Sequence, residues 1–385
     1  MPFREKIDKE VIKIVEELND AGYETFIVGG AVRDLLIGRN PKDYDVASSA
    51  TPEQIKFLFR RRVRIIGRRF RLVHYYTGRN IIEISTFRKT PDKKIQEPGH
   101  RGAIQHEENT YGSSTEDAWR RDLTVNAIFY DPLKDEIIDF TGMGVKDIEQ
   151  RFVRTVGDPD IRFAEDPVRI LRALKLVGQY SFSLEKNTGH SLIKNISLIK
   201  NSSLSRLSLE LEKILKSPYS AGIFEAFYKH GFMCYFLPEL AERGAESFEG
   251  KLMLELLKEW NLRISQGKYR PSLSIAVSLV CLPFMLRELC IEDSEKNEFI
   301  SFDSERKNGD MILDLLRPHH FPKKLIAASR TILHMQPFLL KRETSSRMIR
   351  HKRYLHAREL FSMVNAVLWK NPALDEKWPP HVNIH

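Results

Sequence analysis

The chain has little cysteine, no long apolar run and none of the commoner nucleotide-binding signatures. Its three cysteines, Cys234, Cys281 and Cys290, form no Cys-x-x-Cys pair and stand at no metal-ligand spacing with histidine. They read as buried reduced thiols rather than as a disulfide framework or a zinc site. No apolar run approaches the length of a membrane span. The first residues include Glu5, Asp8, Glu10, Glu16 and Glu17, which suit neither a transit peptide nor a secretion signal. A soluble, cytoplasmic protein is therefore expected. The chain lacks both the Gly-x-x-x-x-Gly-Lys-Ser/Thr run of a P-loop and the Gly-x-Gly-x-x-Gly of a dinucleotide fold. None of the twelve histidines is followed by Asp, and no fixed-period repeat is evident.

At 385 residues the chain exceeds the size that one hydrophobic core usually serves, so two or more domains are expected. The 61 Lys and Arg outweigh the 52 Asp and Glu, for a formal charge of +9. That excess fits an acidic partner such as nucleic acid.

The most informative segment begins at Thr25-Phe26-Ile27-Val28, an apolar run that reads as a short buried strand. Gly29 and Gly30 then permit a sharp turn and close approach of backbone to a ligand. A helix follows, whose free N–H groups suit a triphosphate, and Arg33 near its start adds a charged fork for phosphate oxygens. Asp43-Tyr-Asp45 comes next. On a strand, residues i and i+2 share a face, so both carboxylates are expected to hold hard, oxygen-seeking cations together. Either motif alone is common, but their order and spacing together are much more specific.

This arrangement resembles the nucleotidyltransferases of the DNA polymerase β superfamily, and within them the class II family of bacterial poly(A) polymerases and tRNA CCA-adding enzymes. The resemblance implies a third acidic residue on a neighbouring strand, which Glu83 in Ile81-Ile82-Glu83-Ile84 matches as a lone carboxylate in an apolar run. A buried unpaired carboxylate is costly, which makes a metal a plausible partner for Glu83. Arg120-Arg121-Asp122-Leu123-Thr124-Val125-Asn126 matches a further family element. By resemblance, Arg121 contacts the triphosphate, Asp122 lies beside the sugar or the incoming end, and Asn126 helps set the site.

Glu165-Asp166-Pro167-Val168-Arg169-Ile170-Leu171-Arg172 places Asp166, Arg169 and Arg172 three apart, on one face if helical. A carboxylate can accept from an exocyclic amino group while a guanidinium donates to the adjacent ring nitrogen. Adenine and cytosine both offer that pair of groups, whereas guanine and uracil present an oxygen in place of the amino group. Asp166 and Arg169, with Arg172 in support, are thus expected to read the base without separating A from C. The basic run from Arg60 to His74 supplies Arg62, Arg64, Arg68, Arg69 and Arg71 as candidate RNA contacts, with Phe70 or His74 available for stacking. Within it, Ile65-Ile66-Gly67-Arg68-Arg69-Phe70 resembles the element that marks poly(A) polymerases in the family. A second basic set, Lys341, Arg342, Arg347, Arg350, Lys352, Arg353 and Arg358, is interleaved with Tyr354 and Phe361 near the C-terminus.

Strands are expected near Thr25, Tyr44, Val63, Ile81, Ile128 and Ile137, with strands stopping after residue 155 and helical periodicity thereafter. The polar, Pro- and Gly-containing stretch 89–114 reads as a mobile loop beside the site. The expected fold is an α+β (α/β) N-terminal polymerase-β-like nucleotidyltransferase domain followed by all-α helical neck, body and tail. Its boundaries are 1–155 for the catalytic head, 156–217 for a base-recognition and RNA-binding neck, and 218–385 for a helical body and tail that also binds RNA.

The expected reaction is template-independent transfer of AMP from ATP to RNA 3′ ends, of mRNA, sRNA or tRNA. The resemblance implies two Mg²⁺ ions held by Asp43, Asp45 and Glu83, with Asp122 beside them. The alternatives are CCA or A addition to tRNA and, in another class, a non-catalytic RNA-binding protein on the same fold. Retained carboxylates argue against the last, since an RNA-binding surface gains nothing from adjacent negative charge.

Overall fold

A computed structural model describes residues 3–67, 71–78, 80–89, 110–267, 271–288, 300–302, 308–340 and 345–371. The chain divides into two units, residues 1–165 with 183–192, and residues 166–182 with 193–385. The first boundary falls at 165 rather than 155, and a short later segment returns to the first unit. The stretch 156–217 expected as a neck is thus shared between the two.

The first unit is built on a seven-stranded sheet. In chain order its strands are β1 (Thr25–Val28), β2 (Asp45–Ser48), β3 (Val63–Ile66), β4 (Leu72–Thr77), β5 (Asn80–Thr86), β6 (Phe129–Asp131) and β7 (Glu136–Ile138). Their spatial order is β3-β4-β5-β2-β1-β6-β7, with β2 and β5 parallel and the other neighbours antiparallel. The six expected strands are present. β4, inside the stretch read mainly as basic, is an addition.

Helix α1 (Lys9–Asp20) turns Val11, Ile14, Val15 and Leu18 inward, as their spacing predicts. Helix α2 (Gly30–Leu36) follows β1 directly, and α3 (Pro52–Phe59) starts at a Thr51/Gln54 capping box with Pro52 in its first turn. Helix α4 (Ser114–Arg120) starts at a Ser113/Glu116 capping box. On one sheet face Phe26, Val28, Ala47, Phe87 and Phe129 form a cluster with Ala118 of α4. Phe129 meets Phe26 edge to face with ring centres 5.9 Å apart. The opposite face of β4 and β5 buries Val73, Tyr75, Ile82 and Ile84, and the Phe59 ring of α3 meets Tyr75 edge-on at 5.1 Å. Each such buried side chain contributes roughly 1.5–3 kcal/mol.

The unit is completed by α5 (Gly144–Glu149), α6 (Pro159–Glu165) and a two-stranded pair, β8 (Phe152–Val153) with β9 (Ser183–Leu184). Of the expected 89–114 loop, residues 90–109 lie outside the described residues; Tyr111 bridges to Arg88 and Ser114 opens α4.

The second unit is helical, with α7 (Val168–Tyr180), α9 (Leu204–Leu215) and α10 (Ser220–Lys229), and the longest helix at Phe248–Ser265. Helix α8 (Lys186–Asn195) straddles the boundary between the units. Strands do not stop at 155: β9 lies beyond it, and β10 (Leu286–Glu288) pairs with β11 (Ile300–Phe302). Helices α7 and α10 touch through bare backbone, because a Cβ at Gly178 would collide with Gly222 and Ile223, and one at Gly222 with Gly178. Trp260 is buried and donates its indole N–H to the Leu215 carbonyl at 2.9 Å. Among the described residues no helix is long and apolar enough to cross a membrane.

Candidate active site

Gly29 stands where β1 passes into α2 with φ of +75°, a conformation that L side chains rarely adopt. A Cβ there would also approach Arg121 Nη1 to 3.2 Å. Glycine is favoured by the turn, and the guanidinium beside it leaves little room for a side chain. Arg33 of α2 is buried and folds back under Gly30, donating to Asp34 Oδ1 from Nε at 3.1 Å and from Nη2 at 2.8 Å. Its Nη1 donates to Asn126 Oδ1. Asn126 in turn donates to Asp122 Oδ1 at 3.3 Å, and that oxygen also accepts the Leu123 N–H at 2.8 Å. Of the expected site residues, Arg33, Asn126 and Asp122 thus form one hydrogen-bonded chain, anchored at Asp34.

Arg121 joins it from the end of α4. Its Nη1 donates to the Asn126 carbonyl at 3.3 Å, and its guanidinium lies over the Phe129 ring at 5.1 Å. Asp117, one helical turn earlier, accepts from Arg121 Nη2 at 2.9 Å and Nε at 3.2 Å. Its other oxygen takes the Arg88 backbone N–H and Arg120 Nε, at 3.2 and 3.3 Å. Below α4, the buried Arg162 donates to the Arg120 and Arg121 carbonyls at 2.6 and 2.8 Å, satisfying helix-end groups that have no partner within the helix. Sequence reasoning missed Asp117 and Arg162 as supports of the site. The i,i+4 spacing of Asp117 and Arg121 was a usable signal; nothing local announces Arg162.

The carboxylates are arranged differently from expectation. Asp45 opens β2, but Asp43 lies at a bend before the strand, so a shared strand face does not explain their proximity. Tyr44 between them donates its hydroxyl to the Lys6 carbonyl at 3.2 Å. Glu83 is exposed rather than buried, and its Oε1 lies 3.5 Å from His74 Nε2. Its position is nevertheless apt, because β5 pairs with β2 in a register that sets Glu83 directly beside Asp45. Asp45 keeps a solvent-facing surface, yet protein packed around it desolvates the carboxyl and pushes it up to about 6. Glu83 and Asp43 add to that rise, while Arg121 opposes it.

Such crowding of like charge is what a hard divalent cation relieves, and the donor set is all oxygen, as Mg²⁺ prefers. The residues fit a metal chemically, although among the described residues no three His, Cys, Asp or Glu are already gathered in a ligating cluster.

The basic run separates into distinct roles. Arg62 donates to the Tyr75 hydroxyl at 2.8 Å and pairs with Glu17 at 3.2 Å, so it is taken up by the fold. Arg71 pairs with Glu53 at 2.5 Å. Arg64 is exposed on β3, over the Tyr76 ring at 5.8 Å. Arg68 and Arg69 lie outside the described residues, as do Phe70, Lys341 and Arg342.

Asp166, Arg169 and Arg172 belong to the second unit. Asp166 precedes α7 rather than lying in it: its carbonyl accepts the Arg169 N–H at 3.0 Å and its carboxylate the Val168 N–H at 3.3 Å. Arg206 of α9 grips the same carboxylate with two parallel bonds of 3.1 and 2.9 Å. Sequence reasoning did not foresee this partner, 40 residues away. Arg169 is half-buried and Arg172 exposed.

Comparison with known proteins places the chain in a family. Residues 25–154 match the family model described as "Poly A polymerase head domain", and residues 181–243 match "Probable RNA and SrmB- binding site of polymerase A". Poly(A) polymerase I of Haemophilus influenzae is 32% identical over 92% of this chain and 80% of its own length. The CCA-adding enzyme of Geobacillus thermodenitrificans is 38% identical over 61% of this chain and 56% of its own. Among solved structures, the Bacillus stearothermophilus CCA-adding enzyme in complex with CTP superposes with a TM-score of 0.69 at 25% identity, covering 98% of this chain and 81% of that one. The chain is a nucleotidyltransferase and belongs to the family of bacterial poly(A) polymerases and CCA-adding enzymes.

Proposed function

We propose that the chain is a polynucleotide adenylyltransferase that extends RNA 3′ ends with AMP from ATP, without a template. The observation that carries this reading is the meeting, in one unit, of a crowded carboxylate at Asp45 with the Arg33, Asn126 and Arg121 cradle. Divalent Mg²⁺ held by Asp43, Asp45 and Glu83 would supply polarisation of the attacking 3′-hydroxyl and shielding of the triphosphate. Arg33 and Arg121 orient the phosphates, each held by a carboxylate that limits where its guanidinium can point. Gly29 and Gly30 let the backbone approach the phosphates closely. Asp122, fixed by Leu123 N–H and Asn126, lies beside the sugar.

Asp166 and Arg169 read the base. An ionised carboxylate has about four acceptor positions. Arg206 takes two and the Val168 N–H one, which leaves room for an exocyclic amino group. Basic residues of 156–217 and of 218–385 are the proposed RNA contacts beyond the head.

The preference for adenylate rests on the Ile65-to-Phe70 element and on the extent of the likeness. Poly(A) polymerase I of Escherichia coli O6:H1 is 30% identical over 97% of the chain. CCA addition is the second reading, favoured by the likeness to the CTP-bound structure. The deciding experiment offers the protein Mg²⁺ with labelled ATP or CTP, and either an unstructured oligoribonucleotide or tRNA lacking its CCA end. Adenylate ladders on the oligonucleotide with CTP ignored support the proposal; two C and one A confined to tRNA overturn it.

A further inference from the structure

The sheet face that bears Asp45 is only partly covered. Over β1, β2 and β6 it carries the Phe26, Val28, Ala47 and Phe129 cluster beneath α4. Over β3, β4 and β5 its residues face solvent: Ile66 is 41% exposed, Tyr76 36% and Ile81 47%. The opposite face of the same strands is buried at Val63, Val73, Tyr75 and Ile82, so this is a true two-sided sheet with one bare side. Among the described residues no helix lies across that side.

Register makes the bare side continuous with the catalytic carboxylates. Arg64 pairs with His74, His74 with Glu83, and Glu83 with Asp45, giving one row across four strands. In the adjoining row Tyr76 pairs with Ile81. The His74 ring stands edge-on to Tyr76 at 6.4 Å, and the Arg64 guanidinium sits 5.8 Å from the Tyr76 centroid. Two strand spacings, about 10 Å, separate Asp45 from β4. The row therefore runs from a cation at the sheet edge, past an exposed aromatic ring, to carboxylates at its centre.

We propose that this bare face seats the last nucleotides of the single-stranded RNA primer. Tyr76 is the stacking platform for a base next to the 3′ end, and Arg64 is the contact for its phosphate. The inference rests on the reading that the chain extends RNA, and adds to it a location and a polarity. Phosphates are drawn to the Arg64 end and repelled from the Glu83 and Asp45 end, so the 3′-hydroxyl, which carries no charge, is the part of the strand that reaches the carboxylates. A base of any kind can stack on an aromatic plane, as a non-templated extension requires, since the terminal base changes during synthesis. A protein strand would instead seek the free backbone groups along the β3 edge and would have no use for the row's charge order.

The test uses the full chain with Mg²⁺, ATP and an oligoribonucleotide carrying 4-thiouridine beside its 3′ end. Tyr76→Ala should raise the KM for RNA on the order of tenfold, the loss of one base stack, with the KM for ATP unchanged. Tyr76→Phe should behave as the parent, and Arg64→Ala should raise the RNA KM and flatten its salt dependence. Crosslinks should map to the strands β3, β4 and β5 that carry this face. An unchanged RNA KM in Tyr76→Ala, equal rises in both KM values, or crosslinks elsewhere would each overturn the proposal. If the parent protein transfers no AMP, the adenylyltransferase reading fails by itself, while the position of the crosslink still decides whether RNA occupies this face.

Discussion

Two carboxylates of the first unit, Asp45 and Asp117, have opposite surroundings. Asp117 is buried and receives donors on both oxygens, from Arg120, Arg121 and the Arg88 backbone. Asp45 is open to solvent on one side and has Glu83 and Asp43 for neighbours, with Arg121 as the countervailing charge. The first arrangement lowers the energy of the folded chain. The second raises it, and is sustained because the remaining sheet is well packed. Arg121 belongs to both, bonded to the satisfied carboxylate and close enough to the unsatisfied one to oppose its rise. The contrast teaches that a site can be found by where a fold declines to neutralise its own charge.

The contrast can be broken most sharply at Asp45. Asp45→Asn should lower nucleotide incorporation on the order of 1,000-fold, as expected when a ligand for a catalytic cation is lost, without lowering the urea midpoint. A variant that keeps near-parental activity would remove Asp45 from the site. Asp117→Ala should do the reverse in stability, costing about 3 kcal/mol because arginines near the core lose their anion. It should also raise the KM for ATP as Arg121 loses its hold; a midpoint equal to that of the parent would show that Asp117 is dispensable.

Acidity tests the same contrast more gently. The folded Asp45 carboxyl titrates near 6 and an unfolded one near 3.8, so the folded chain binds the extra proton between those values. Stability from this group is fully present below 3.8 and is lost as pH rises through about 6. Metal-free protein should therefore gain stability at Asp45 on going from pH 7 to 5. The gain is read as the difference between the parent's pH dependence and that of Asp45→Asn, and the opposite sign would refute the crowding. The smallest effect is expected at Arg62, which is itself half exposed and pairs with a partly exposed Glu17. Arg62→Ala should cost about 1 kcal/mol and leave the KM for RNA unchanged, which would separate it from Arg64.

Much of this was legible in the sequence wherever the determining contacts are local. The strand, Gly-Gly and helix succession, the six strands and the α1 stripe follow from periodicity and backbone freedom over a few residues. Glu83 was found for a reason the structure does not support: it is exposed, and its place beside Asp45 comes from parallel pairing of β2 with β5. Register between distant strands has no local signature. For the same reason Arg162 under α4 and Arg206 on Asp166 were not foreseen, since a guanidinium chooses its partner through tertiary folding. β4 was obscured because its apolar alternation is embedded among arginines, two of which, Arg62 and Arg71, make intramolecular pairs.

The contact between Gly178 and Gly222 carries a consequence for how this protein can change over evolutionary time. Where side chains separate two helices, a crossing can be adjusted in steps, by trading one side chain for a slightly larger or smaller one. Here nothing remains to trade: any substitution at either position drives a Cβ into the other helix's backbone. The helix that begins beside Asp166 is fixed at its far end by a joint without gradations. Under the proposed reading of Asp166 and Arg169, new base preferences arise at its near end, among these residues and Arg206, while the crossing stays as it is.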